Sequence, residues 1–268
     1  MDQLLRLLWL IPLGIFAGGY GTLVGAGGGF VLAPALLLLY PGEAPETITS
    51  ISLAVVFSNA LSGTLAYAKS NRIDYRSGII FSLATAPGAI LGALATTGIS
   101  RAKFDLSFGL LMLCVAVYLT LNPGKKTAGK MAQRTVEIQS LFALSRTTLL
   151  SGAALSTAFG FISSFLGIGG GFLYVPALVY FLGFPVHIAT ATSLFVLTIT
   201  AFAGSATHLA AGLFHQGIRR AIALSVGAVI GAQIGAKLSE RIHGEWIIRS
   251  LAVALGLLGL RLLALSLC

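Results

Sequence analysis

The sequence predicts an all-α, polytopic membrane protein made of two homologous repeats, each a glycine-broken first segment followed by three transmembrane helices. Three observations carry this. First, 56% of the 268 residues are hydrophobic, only 9% are charged, and the mean hydropathy is +0.94. A soluble domain carries about 25% charged residues, so this chain has too little polar surface to cover itself in water. Second, apolar segments close to the ~20 residues that cross a bilayer recur along the whole length. They are continuously apolar, without the in/out alternation of barrel strands. Third, VGAGGGFVLAPAL from Val24 to Leu36 returns as LGIGGGFLYVPAL from Leu166 to Leu178, with Gly25 answering to Gly167.

In chain order, the apolar segments are Leu10–Tyr40, Ile48–Ala68, Ser77–Thr96 and Phe104–Leu121, then Thr147–Leu182, His187–Ala211, Ile218–Leu238 and Trp246–Leu265. This divides the chain into a first repeat (1–121), a basic cytoplasmic connector (122–146) and a second repeat (147–268). Other landmarks keep step: Ser52-Leu53 with Ser193-Leu194, Gly63 with Gly204, Tyr67 with His208, and GAILGA from Gly88 with GAQIGA from Gly231. MDQLLRLLWLIPLGIFAGG has the profile of a signal peptide. Because its continuation has a counterpart in the second half, it is read as a retained segment.

The first segment of each half is too long for a simple span. Leu10–Tyr40 would reach about 46 Å as one helix at ~1.5 Å per residue, against a hydrocarbon core near 30 Å. Either it is a tilted helix broken at its glycines, or it enters, turns and leaves on the same side. The positive-inside tally separates the two poorly, and both put loops 69–76 and 122–146 in the cytoplasm. Segment length favours the re-entrant hairpin. That arrangement leaves three crossings per half, inverts the second half and places the C-terminus outside the cytoplasm.

Irregular backbone facing lipid leaves N–H and C=O groups unpaired at several kcal/mol each, so glycine runs at this depth must be buried in protein or line a cavity. Broken transmembrane helices aim half-helix N-termini, with free N–H groups and a positive dipole end, at anions. The candidate substrate-binding backbone is therefore Gly25, Gly27, Gly28 and Gly29, with Gly167, Gly169, Gly170 and Gly171. Pro34 and Pro176 are expected in the first turns of the second half-helix, where a missing N–H costs least. Gly88-x-x-x-Gly92 and the Gly227, Gly231, Gly235 series read as helix-packing faces.

Side chains on the following spans complete the candidate shell. Ser52 and Ser193 hold equivalent places, as do Tyr67 and His208. Thr192 adjoins Ser193, and Asn59 is costly to leave facing lipid. His208 lies well inside its predicted span and is a candidate proton carrier. No carboxylate stands out within a span, which fits an anionic ligand and argues against an acidic sodium site or proton relay.

Several classes are disfavoured. The net charge of +9 sits mostly in short connections, without a basic patch or interleaved aromatic motif, so no nucleic-acid partner is expected. Cys114 and Cys268 imply neither a disulfide framework nor a metal site. No GK[ST] follows the glycines, and there is no HExxH and no aspartate pair; no enzyme activity and no cofactor is expected. Partners are the lipid bilayer and a small anion, and the sequence is compatible with a homodimer. A secondary transporter, an anion channel and a transporter of another small organic anion share this chemistry and stay open as alternatives.

The paired glycine repeats, ATSLF at Ala191 to Phe195 and GAQIGAKL at Gly231 to Leu238 together resemble the sulfite exporter TauE/SafE family of membrane transporters, from about Gly14 to Leu263. The second half is the nearer match; the first departs at Ser50-Ile51-Ser52-Leu53, where ATSL is expected. The resemblance implies a multi-pass protein of the cytoplasmic (inner) membrane that moves small sulfur-containing anions such as sulfite or organosulfonates.

Overall fold

Ten helices and no strand make up the described residues of the computed structural model, which are 8–121, 146–181, 183–212 and 217–267. The basic connector falls outside them except for Arg146. The helices are α1 (Leu10–Val24), α2 (Gly29–Leu39), α3 (Pro45–Lys69), α4 (Tyr75–Ala95), α5 (Arg101–Leu121), α6 (Arg146–Phe165), α7 (Gly171–Pro176, continued by a π turn at Ala177–Phe181), α8 (Val186–Ala210), α9 (Ile218–Ser239) and α10 (Gly244–Leu267). Six of them, α3, α4, α5, α8, α9 and α10, are long and apolar enough to cross a membrane. The protein is a polytopic helical membrane protein, as its composition requires.

Helix direction follows from which residues meet. α3 and α8 cross antiparallel in the core, since Ser50 meets His208 and Thr64 meets Thr198. α5 and α10 are also antiparallel, with Gly109 beside Gly259 and Leu263 and Gly256 beside Ala116. α1 runs parallel to α9, Gly14 against Gly227 and Gly19 against Gly231, and α6 runs parallel to α4, Thr157 against Gly88 and Phe161 against Gly92. At these last two seams the backbones nearly touch. A Cβ on Gly231 would fall 2.7 Å from the Gly19 nitrogen, and one on Gly88 would fall 2.9 Å from the Phe161 nitrogen. Small residues allow that approach, where lipid gives no hydrophobic drive to bring helices together.

The first segment of each half is a broken hairpin. α1 climbs in the same direction as α3, because Gly18 lies by Asn59 and Thr22 by Gly63. α3 starts at the end from which α1 climbed, so α2 must return there. Arg101 at the head of α5 fixes that return by donating to the carbonyls of Leu37 (2.6 Å) and Glu43 (2.9 Å), and Arg220 at the head of α9 pairs with Glu43 at 2.8 Å. A cation over the last carbonyls of α2 also complements its dipole. α1 and α2 are 15 and 11 residues long, about 22 and 16 Å, so the pair turns inside the bilayer. α6 and α7 do the same from the opposite end.

Loops 70–74 and 239–244 share one end, joined by Ser70 to Glu240 at 3.1 Å and Arg72 to Glu240 at 3.8 Å. The start of α1 and the end of α10 lie at the other. Because the first end carries the denser basic charge, alkaline phosphatase fused after the last residue should be active and a cytosol-dependent fluorescent reporter dark; the reverse pattern would invert the topology. Gly231→Leu should abolish monodisperse protein on size-exclusion chromatography, because its side chain has only the backbone of α1 to enter.

Candidate functional site

Both helix breaks use the same local device. α1 ends at Gly25 (φ 78°), where the N–H of Ala26 bonds the Gly21 carbonyl at 2.8 Å, a Schellman closure that consumes an orphan carbonyl. α6 ends likewise at Gly167 (φ 70°), with the Ile168 N–H on the Ser163 carbonyl at 3.0 Å. Gly27 and Gly28, and Gly169 and Gly170, follow at φ between 75° and 80°. Only glycine enters that left-handed region without strain, which is why three positions in each loop carry it.

The second half-helices then begin with donors to spare. Val31 and Leu32 both return to the Gly28 carbonyl, and Leu173 and Tyr174 both return to Gly170. Among the described residues this leaves the N–H groups of Gly29, Phe30, Gly171 and Phe172 without a backbone partner, as at any helix start. Pro34 and Pro176 stand as the sixth residue of each half-helix, in the first turns as expected but past the positions where a missing N–H costs least. There each removes a donor from the carbonyl four residues back, Phe30 or Phe172.

The two loops meet each other in the core. A Cβ on Gly29 would lie 2.6 Å from Val56, and one on Gly171 would lie 2.6 Å from Ala26. Gly27 and Gly169 both face Val56 and Leu197, which are fully buried between them. Gly25 packs on Thr190 of α8 and Gly167 on Thr49 of α3, each leaving 2.6–2.7 Å to a Cβ. The glycine loops are thus buried within the protein and do not face lipid.

Polar side chains ring this junction unevenly. Ser193 Oγ donates to the Gly25 carbonyl at 2.9 Å. Ser52 Oγ is fully buried with no partner, as are Ser163 Oγ and Ser164 Oγ on α6. Asn59 accepts from Thr22 Oγ1 at 3.3 Å while its Nδ2 stays unpartnered. His208 meets Ser50 through Nδ1 at 3.2 Å and leaves Nε2 without a partner. Other predicted residues serve different contacts. Tyr67 donates to the Thr22 carbonyl (3.1 Å) and to Ser239 (2.8 Å), and Thr192 Oγ1 accepts the Asp74 N–H at 3.1 Å, outside the junction. Thr22, Ser163 and Ser164 escaped the sequence reading. A signal was there, since Thr22 and Ser164 each stand three residues before the first glycine of their loop.

A chain of six bilayer-length helices, with two broken pairs meeting in its core, is a multi-pass membrane protein. The family model "Sulfite exporter TauE/SafE" matches residues 10–262, and the chain belongs to that family. It is 32% identical over 264 residues to the probable membrane transporter protein YunE of Bacillus subtilis, covering 95% of this chain and 96% of that one. A probable membrane transporter protein of Methanocaldococcus jannaschii is 25% identical over 98% of this chain and 97% of its own length. One of Xylella fastidiosa is 36% identical over 66% of each. No solved structure matches. The chain is a membrane transporter.

Because Ser193 satisfies a buried carbonyl and Ser52 satisfies nothing, the two hydroxyls should differ in stability. Ser193→Ala should cost about 1–3 kcal/mol, the cost of stranding a buried acceptor, whereas Ser52→Ala should leave stability unchanged or raise it, because it removes a buried hydroxyl that has no partner. Thermal unfolding of the two purified variants, measured side by side, checks this; equal losses would contradict it.

Proposed function

We propose that this transporter exports a small sulfur-containing anion, sulfite or an organosulfonate, across the cytoplasmic membrane by alternating access at a site between two inverted repeats. The observation that carries the reading is the pair of buried half-helix starts at Gly29 and Gly171, with the partnerless hydroxyl of Ser163 against Gly170 and that of Ser52 on the face of α3 whose Thr49 and Val56 touch Gly167 and Gly169. Donors without acceptors, in a low-dielectric setting, form a site for something that brings only acceptors. No carboxylate among the described residues is buried, so nothing nearby would repel an oxyanion. Exchanging the halves leaves the packing scheme in place, with α1 on α9 as α6 on α4, and α3 on α9 as α8 on α4; antiparallel α3 and α8 fit inversion. Val56 and Leu197 then act as an apolar plug that must part as substrate passes. The family's name, sulfite exporter, suggests the sulfur anion.

Proteoliposomes loaded with sulfite, sulfoacetate or thiosulfate should show saturable efflux of at least one of them. Ser52→Ala and Ser164→Ala should each lower that efflux about tenfold, the equivalent of one charge-assisted hydrogen bond, with no fall in melting temperature. Efflux that rises linearly without saturating would replace alternating access with a channel. Unchanged efflux in both variants would move the site elsewhere.

A further inference from the structure

A cleft of about 810 Å³ opens sideways between α3, α8 and α9. Its walls include Ala54 and Phe57 of α3, Phe202 and Leu209 of α8, and Ile222 and Ile230 of α9. Several of these side chains are open to the surroundings, Phe202 at 58% and Ile222 at 59%, on helices whose outer surface faces hydrocarbon. The size suits a ligand, since small-molecule pockets run about 300–1,000 Å³. The polar lining does not suit a free anion: it amounts to the hydroxyls of Ser58, Ser205 and Ser225, and Ser58 is already bonded to the Ala54 carbonyl at 3.0 Å.

Depth and charge name the occupant. Ile222, Val226 and Ile230 form a stripe along α9, and Arg219 heads the same stripe by helical periodicity. Arg219 is exposed and makes no ion pair or hydrogen bond among the described residues, whereas its neighbour Arg220 is tied to Glu43. From Arg219 to Ile230 the helix rises about 16 Å, half of a ~30 Å hydrocarbon core and so the depth of one leaflet. The cleft therefore starts at a free cation at the membrane surface and ends near the midplane.

The matching place at the other end of the molecule is filled. Ala54, two residues after Ser52, corresponds to Phe195, two residues after Ser193. The Phe195 ring packs edge-on against Tyr75 at 5.5 Å and lies over Gly78 of α4. Where one half supplies a phenyl group, the other supplies a methyl and leaves a space. The residue difference accounts for the asymmetry without any change of conformation.

We infer that the cleft between α3, α8 and α9 holds one acyl chain of an anionic phospholipid, from the leaflet at the start of α1 and the end of α10, with Arg219 bound to the headgroup phosphate. The inference needs only the bilayer embedding and stands apart from the choice of substrate. The test uses the full chain in liposomes containing phosphatidylglycerol with a photoreactive diazirine near the end of one acyl chain, and, in parallel, phosphatidylcholine with the same chain; labelled peptides are mapped by mass spectrometry. Label from phosphatidylglycerol should concentrate on residues 202–209 and 222–230, above that on Leu110, an exposed lipid-facing residue of α5. Ala54→Phe should remove the excess, and Ala206→Phe, from the α8 wall, serves if the first variant does not run as a single species. Arg219→Gln should lower phosphatidylglycerol labelling about fivefold, the worth of one basic residue at an anionic surface, and phosphatidylcholine labelling by less, because the choline cation already faces that phosphate. Label spread evenly over all lipid-facing helices, or indifferent to the filling variants, overturns the acyl-chain site. Equal labelling by the two lipids, insensitive to Arg219→Gln, overturns the headgroup assignment.

Discussion

A peptide group in hydrocarbon must find its hydrogen-bond partner within the protein, and the rest of this architecture follows from that constraint. Two helices are interrupted at mid-depth, so each interruption has to be walled in. The walls are supplied reciprocally: the loop after α1 rests on α8, the loop after α6 rests on α3, and the two loops touch each other. Gly25 is closed by Thr190 and held by Ser193, while Gly167 is closed by Thr49. Neither hairpin could keep its broken backbone in lipid by itself.

This reciprocity also explains the small-residue seams. To bring each hairpin against the far half, α1 must lie on α9 and α6 on α4, and backbones can come that near only where side chains are absent. Gly227, Gly231 and Gly235 meet α1 along one seam, and Gly88 and Gly92 meet α6 along the other. The glycines thus do two separate jobs. Those in the seams have ordinary helical torsions and give proximity; those in the loops have positive φ and give a turn that exposes donors.

Most of the organisation was legible beforehand, for identifiable reasons. Hydropathy and span length specify membrane helices because the bilayer has a fixed thickness, and the excess length of Leu10–Tyr40 over that thickness pointed to a hairpin. The clustered glycines marked the breaks because left-handed torsions admit little else. Side-chain roles were far less legible. Ser52 and Ser193 hold equivalent positions in sequence, yet Ser193 bonds a carbonyl and Ser52 has no partner. Thr192 was drawn into the candidate shell by its neighbour, but one step along a helix turns a side chain by about 100°, and it faces Asp74. Thr22, Ser163 and Ser164 sit in stretches that read as apolar helix, where the shared spacing of Thr22 and Ser164 to the glycines is a faint signal until the fold returns them to the junction.

Composition, periodicity and paired glycine motifs were enough to determine a helical membrane protein with two broken segments, because those properties depend on local backbone chemistry and on a solvent of known depth. Tertiary structure alone decided which half walls which break, since that depends on contacts between residues more than a hundred positions apart. It also decided which buried hydroxyls are left free, and that Ala54 opposite Phe195 leaves a cleft at one end and none at the other. A hydrogen bond or a void belongs to a pair of surfaces, and a linear sequence carries only one surface at a time.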